Sequence, residues 1–298
     1  MRILITGGKG MLGRTLQREL AEHELIVADL PEWDVTDETA LVAGTCGARP
    51  DVVIHCAAMT KVDDCETKRE LAFRLNEEGS RNVARACKAA GARLIAISTD
   101  YVFSGEPPTT PWDWSETDEP RPRTTYGASK YAGERAIMEV LPEATVLRIA
   151  WLYGAGGPSF VHTMVKLGAS EGPALKVVDD QCGNPTSTKA VAGVIRFLLG
   201  KPDVSGVVHG TCEGTCTWCE FAREIRAQVN ALAARGGLKE GIPGFLREIA
   251  PCTTEEYPRP APRPHVSSLK KGVLALLGYA TENWKAALQE FVAAEFGR

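Results

Sequence analysis

With 298 residues, 24% of them charged, and a formal net charge of −4, the chain can bury a sizeable core and carries no basic surplus for nucleic acid or an acidic membrane. A small-molecule partner is expected instead. The start at Met1 and Arg2 leads straight into ILIT without an apolar leader, no later run approaches a membrane span, and nine cysteines, an odd number, read as reduced thiols, so a cytoplasmic protein is expected.

The first predicted strand, Arg2 to Thr6, is β-branched and apolar; Gly7, Gly8, Lys9, Gly10, Met11, Leu12 and Gly13 follow, and then a helical pattern to Leu20. Gly7, Gly10 and Gly13 stand at G-x-x-G-x-x-G spacing, a variant of the dinucleotide fingerprint in which glycines permit a tight turn, backbone approach to a pyrophosphate and close helix packing. The strand-to-helix context favours cofactor binding over an incidental glycine turn. A second strand, Glu24 to Ala28, ends in Asp29, near the distance at which an acidic residue meets the adenosine ribose hydroxyls. Asp34, in the DVTD run, is a second candidate near the adenine. Acidic residues at strand ends also occur as solvated groups or helix caps.

Strands and helices then alternate: a strand over Asp51 to His55, a helix over Arg69 to Ala90, a strand over Arg93 to Ser98, a helix bearing Tyr126, and a strand over Ala144 to Ala150. This predicts an α/β fold, a doubly wound parallel sheet with helices on both faces and ligands beyond the carboxyl ends of its strands. The third strand runs into Cys56, Ala57, Ala58, Met59 and Thr60, mostly small residues that let a dinucleotide lie close to the backbone. The fourth ends in Ser98, Thr99 and Asp100, where the Thr99 hydroxyl can meet a substrate carbonyl oxygen.

In TTYGASKYAGER, Thr124 to Arg135, Tyr126 and Lys130 lie four apart and therefore on one helix face. A tyrosine with an ordinary pKa of about 10 does acid/base work near neutrality only beside a cation that favours the phenolate, and Lys130 is the candidate. On a solvated helix the same pair is ordinary; the glycine turn and Thr99 are what give it meaning. Trp151 leaves the fifth strand either as a core aromatic or as a platform for a sugar ring. A smaller α/β C-terminal substrate-binding domain is expected, with residues 1–158 and 186–206 forming the dinucleotide-binding domain and 159–185 and 207–298 the second. Helices are predicted over Ser159 to Ala169 and Thr188 to Leu199, a strand over Leu175 to Val178, and a proline-rich stretch from Pro251 to Pro264. Arg263 is either a diphosphate partner or a structural arginine.

GGKGMLG, HCAAMTKVDDCE, STDYVFSG, YGASK, LRIAWLYG, DQCGNPT and RPHVSSL together resemble the dTDP-4-dehydrorhamnose reductase family of extended short-chain dehydrogenases, from Met1 to about Leu269. The resemblance implies a Rossmann-type fold and reduction of the 4-keto group of a dTDP-sugar, dTDP-6-deoxy-L-lyxo-4-hexulose, by NADPH or NADH to give dTDP-L-rhamnose. It places the proton donor on Tyr126, its helper on Lys130, the substrate-binding pair on Thr99 and Asp100, and the sugar-contacting tryptophan on Trp151. Cofactor contacts fall on Gly10, Met11, Leu12, Asp29, Asp34, Val35, Ala58, Met59 and Thr60, with Met59 standing where histidine or serine is usual. Arg14 and Thr15 occupy the positions where some members carry an acidic residue, so no metal ligand is assigned. A homodimer is left open.

Two other readings bear on the same residues. Cys212, Cys216 and Cys219 fall at C-x3-C-x2-C, the spacing that holds three irons of a four-iron cluster, but late in the chain and at the start of the helical TWCEFAREI segment. A non-catalytic, cofactor-binding regulatory subunit is the other; intact Thr99, Tyr126 and Lys130 argue against it. Tyr101 stands after the Thr-Asp pair where sugar dehydratases carry an acidic residue.

Overall fold

The computed structural model describes residues 1–106 and 113–298. In chain order the first half comprises β1 (Arg2–Thr6), α1 (Met11–Glu19), β2 (Glu24–Ala28), α2 (Glu38–Ala48), β3 (Val52–His55), α3 (Val62–Thr67), α4 (Arg69–Phe73), α5 (Gly79–Ala90), β4 (Arg93–Thr99), α6 (Thr125–Val140) and β5 (Thr145–Ile149). A π-helical turn, Arg74–Glu78, joins α4 to α5, so the single helix expected over Arg69 to Ala90 carries a bulge in its middle. The second half adds β6 (Leu152–Tyr153), α7 (Phe160–Gly168), β7 (Leu175–Val178), β8 (Cys182–Gly183), β9 (Thr186–Ser187), α8 (Thr188–Leu199), β10 (Gly206–His209), β11 (Cys216–Thr217), α9 (Trp218–Ala234), β12 (Ile249–Cys252), α10 (Gly272–Leu276) and α11 (Trp284–Phe296).

Six strands form one sheet in the order β10-β5-β4-β3-β1-β2, every pairing parallel. Alternation within the strands sends side chains to two separate cores. Ile3, Ile5, Ile54, Ile95 and Leu147 pack with Leu12 and Leu16 of α1 and Val194, Ile195 and Leu198 of α8. Leu4, Val53, Leu94 and Val146 pack on the other face with Leu41, Val83 and Ile137. Both faces being covered, every residue of β3 and β5 is buried, including the polar His55, Thr145 and Arg148.

The sheet departs from the expected division in one place. Residues from 207 were assigned to the second domain, yet β10 pairs Val207 with Val146 and Val208 with Leu147 at the sheet edge, and Leu274 of α10 joins the core under α8. An apolar GVVH run next to an uncovered edge strand completes the sheet more economically than it would start a new layer. The second lobe has its own core, where Val161, Phe221, Ile225, Val229, Leu288 and Val292 of α7, α9 and α11 pack under the β7–β12 pair.

Strand order reverses between β1 and β3, the two neighbours that leave the sheet in opposite directions along it. A crevice at the carboxyl ends is required there. The glycine turn after β1 and the small-residue run after β3 form its two lips.

Candidate active site

A cleft of about 720 Å³ begins at Lys9, Asp29 and Trp33 and ends at Thr99, Tyr126 and Trp151. Of the residues expected from sequence, Gly7, Gly10, Met11, Leu12, Gly13, Asp29, Asp34, Val35, Ala57, Ala58, Thr60, Thr99, Asp100, Tyr126, Lys130 and Trp151 line it. Met59 and Arg263 are not among the lining residues.

At the first end the wall is backbone. Gly7 sits at φ 65°, and a Cβ there would meet Ala57 N at 2.7 Å; a Cβ on Gly13 would meet Gly7 O at 2.5 Å. Only glycine fits either position. The cradle that results, its floor formed by glycine backbone, suits a dinucleotide pyrophosphate resting on the N-terminal turn of α1. Asp29 closes the turn by accepting from Lys9 N at 2.7 Å and Leu30 N at 2.8 Å, while Lys9 Nζ donates to Leu30 O at 2.6 Å. Asp34 accepts from both the backbone N and the hydroxyl of Thr36, and those bonds hold its pKa below the usual aspartate value.

Met59 has a different place from the expected one. Its side chain packs with Cys65, Ala72 and Tyr126, and its backbone is clamped by Asn76, whose Oδ1 accepts from Met59 N at 2.8 Å and whose Nδ2 donates to Met59 O at 3.1 Å and Ser129 Oγ at 2.9 Å. Asn76, fully buried on the π-turn, thereby ties the run after β3 to α6. The sequence offers no local signal for it; nor does it for Trp33, which lines the cleft and packs against Gly44.

At the other end, α6 is capped by Thr124, whose hydroxyl accepts from Gly127 N, and its first turn holds Tyr126 against the end of β4. The Thr99 hydroxyl is a hydrogen-bond partner of Tyr126 and also donates to Asp100 Oδ1 at 2.8 Å. Lys130, buried in the second turn, donates to the Ile97 carbonyl at 2.8 Å. The expected depression of the tyrosine pKa by Lys130 is not what the structure shows: burial dominates and pushes the phenol well above its ordinary range, with Thr99 opposing. Lys130 directs its ammonium at Ile97 and Glu134 instead, and burial lowers it to about 8. Tyr126 is therefore a protonated donor. Asp100, in the cleft wall, is pushed up to about 6 by burial, with the hydroxyls of Thr99 and Ser267 opposing.

Trp151 is held in a left-handed conformation, φ 45°, which a bulky side chain adopts only when its surroundings impose it. Its Nε1 donates to Ser267 Oγ at 3.0 Å, and its ring lies on Trp218 at 3.6 Å between centroids and 8° between planes. Arg263 is committed elsewhere: its guanidinium pairs with Asp63 at 2.9 Å and donates to Ala261 O, joining the proline-rich stretch to α3. Cys212, Cys216 and Cys219 lie in the second core, where burial raises all three thiols, Cys212 to about 12. Among the described residues no group of His, Cys, Asp or Glu is arranged to hold a metal ion, and no helix is long and apolar enough to cross a membrane.

Comparison with known proteins agrees with this arrangement. The family model described as RmlD substrate binding domain matches residues 1–296. A Streptomyces griseus dTDP-4-dehydrorhamnose reductase is 40% identical over 100% of this chain and 95% of its own length. A Streptomyces antibioticus protein named "Probable dTDP-4,6-dihydroxy-2-methyloxan-3-one 4-ketoreductase" is 42% identical over 97% of this chain and 94% of its own. The crystal structure of the Bacillus anthracis dTDP-4-dehydrorhamnose reductase in complex with NADP superposes with a TM-score of 0.89 at 36% identity, covering 99% of both chains. The chain belongs to the dTDP-4-dehydrorhamnose reductase family of Rossmann-fold oxidoreductases.

Proposed function

We propose that this protein reduces the 4-keto group of dTDP-6-deoxy-L-lyxo-4-hexulose to give dTDP-L-rhamnose, with NADPH or NADH as reductant. The observation that carries the reading is the meeting of Thr99, Tyr126 and Lys130 at the far end of a cleft that starts on the glycine cradle. Bound there, a reduced nicotinamide supplies the hydride for C4 of the sugar. The remaining work falls to the chain. As the carbonyl oxygen gains negative charge, the Tyr126 hydroxyl donates its proton to it and the Thr99 hydroxyl holds it. Lys130, a buried cation in the wall of the same cleft, would hold the nicotinamide ribose. Asp100, in the cleft wall beside Thr99, is placed to meet a sugar hydroxyl, and Trp151 presents an aromatic surface to the ring. Arg263, now paired with Asp63, would serve the diphosphate only by exchanging that partner.

Nine free cysteines support a reducing, cytoplasmic setting. The Streptomyces antibioticus relative favours a second reading, in which another dTDP 4-ketosugar is the substrate. Mixing the purified protein with dTDP-4-keto-6-deoxyglucose, a 3,5-epimerase and reduced cofactor tests the first directly. Loss of nicotinamide absorbance with formation of dTDP-rhamnose is expected; cofactor binding without oxidation by any nucleotide 4-ketosugar would favour the regulatory-subunit reading.

A further inference from the structure

Behind the catalytic helix lies a charged group that the reaction as described does not use. Glu134, one turn beyond Lys130 on α6, is 5% exposed and lies among apolar sheet residues. Its carboxylate accepts from Arg148 Nε at 2.9 Å, from Arg148 Nη2 at 2.7 Å and from Ser98 Oγ at 2.5 Å. Arg148 is itself buried, with its guanidinium 5.1 Å from the Phe103 ring. The three partners occupy three elements. Ser98 immediately precedes Thr99 on β4, Arg148 on β5 precedes Trp151 by three residues, and Glu134 follows Tyr126 by two turns of α6.

We propose that Glu134 is the positioning residue of this site: it locks the helix bearing Tyr126 and Lys130 to the strand ends bearing Thr99 and Trp151, and it supplies the negative charge that keeps buried Lys130 a cation. The proposal rests on the reductase reading above. Lys130 and Glu134 border a common small cavity of about 10 Å³ with Ser80 and Ser98, room for one water at most. Tyr126 on the same helix is a neutral phenol. At the end of β3, His55 is bonded to Thr6 and Ser80 and is kept neutral by burial, its pKa pushed down to about 3, and Cys56 is kept a thiol at about 12. From β4, Lys130 receives only the neutral Ile97 carbonyl. Asp100, beyond Thr99, acts on Tyr126 rather than on Lys130. Among the described residues Glu134 is the one carboxylate that acts on the ammonium, and Arg148 is its ion-pair partner. A buried ion pair is a poor device for stability alone, since apolar residues of similar volume commonly serve as well.

Two variants separate the electrostatic role from packing. Glu134→Gln leaves Arg148 buried without its anion; Glu134→Gln with Arg148→Met removes that cation too and keeps the fold testable if the single variant is unstable. Lys130 is followed by 13C NMR of labelled lysine side chains in the cofactor-free protein, with Lys130→Arg used for assignment, and the alkaline limb of kcat/KM is measured alongside. In the parent protein half-titration is expected near 8. In both Gln variants it should move down by about one unit or more, because an opposite charge within reach favours the charged form. The alkaline limb should follow to lower pH. Glu134→Asp, which keeps the charge, should hold the titration near the parent value while kcat falls a few fold through looser geometry. A Lys130 titration unmoved in the double variant would overturn the proposal and leave Glu134 as packing only. The NMR arm needs no sugar, so failure of the substrate assignment leaves this test intact.

Discussion

At the Lys9–Asp29 end of the cleft the floor is backbone from two neighbouring strand ends, and at the Trp151 end it is side chains, Trp151 among them held in place by residues from distant parts of the chain. Gly7, Gly10 and Gly13 come from a single turn, and Ala57, packed against Gly7, from the run that follows the neighbouring strand β3. Trp151 is held by Ser267 and Trp218, and Arg263 by Asp63. The first construction takes any dinucleotide whose pyrophosphate reaches the helix; the second depends on many side-chain shapes at once. Cofactor affinity should therefore be broken by adding atoms at one end, and sugar recognition by removing them at the other.

The largest effect is expected where the two ends meet. Tyr126→Phe removes one hydroxyl and leaves Lys130 and the glycine cradle in place. General acid catalysis is worth about a hundredfold to ten-thousandfold, so kcat should fall by that order while cofactor Kd, measured by fluorescence titration, stays within a few fold. Near-normal reduction by this variant would remove Tyr126 from the chemistry.

Gly7→Ala attacks the backbone end. The new Cβ meets Ala57 N at 2.7 Å and occupies a residue at φ 65°, a strain of about 1–3 kcal/mol. Cofactor Kd should rise by roughly five- to a hundredfold. Since the sugar end is untouched, kcat at saturating cofactor should change less. Trp151→Ala is the mirror image: an aromatic contact is worth about 0.5–1.5 kcal/mol beyond its area, so sugar KM should rise at least about two- to thirteenfold with cofactor Kd unchanged. If both constants moved together in either variant, the two ends would not be independent.

What the sequence disclosed follows the same line. The glycine turn, Tyr126 with Lys130, and Thr99 were readable because each is a short-range pattern whose geometry is fixed by one helix or one strand end. The parallel sheet was readable because strands and helices alternate along the first half of the chain, which leaves parallel pairing with crossover helices as the arrangement. Asn76 was not, because its importance lies in reaching Met59 and Ser129 across the π-turn, and neither contact leaves a period in the sequence. Arg263 reads either as a diphosphate partner or as a structural arginine because its partner Asp63 stands 200 residues earlier, where no local pattern links the two. The GVVH strand was misplaced for a related reason, since its neighbour β5 lies some sixty residues upstream. Lys130 was assigned to lower the Tyr126 pKa because spacing shows proximity along a helix, but not the burial that outweighs it.

A smaller effect concerns which nicotinamide cofactor is preferred. Asp29 lies where a ribose 2′-hydroxyl is expected, and a carboxylate there repels a 2′-phosphate; Lys9 beside it carries the opposite charge. The two should nearly cancel, leaving kcat/KM for NADH and NADPH within about tenfold of each other. A preference for NADPH beyond about a hundredfold, or about 2.7 kcal/mol, would show that Lys9 governs the pocket and Asp29 only ties the turn.

The smallest effect is expected deepest in the second lobe, and it bears on whether that lobe has chemistry of its own. Cys212 and Cys219 are fully buried and Cys216 nearly so, packed among Phe221, Ala222 and Trp284 with burial raising every thiol. A thiol so raised is protonated at neutral pH and a poor iron ligand, since the thiolate is the form that binds metal. Replacing all three by Ala should lower Tm by a few degrees through lost packing, leave reductase activity within a few fold, and change no visible absorbance of protein purified without oxygen. A brown protein with stoichiometric iron, bleached by the same substitutions, would mean that the second lobe opens to bind a cluster and is more than a wall for the sugar.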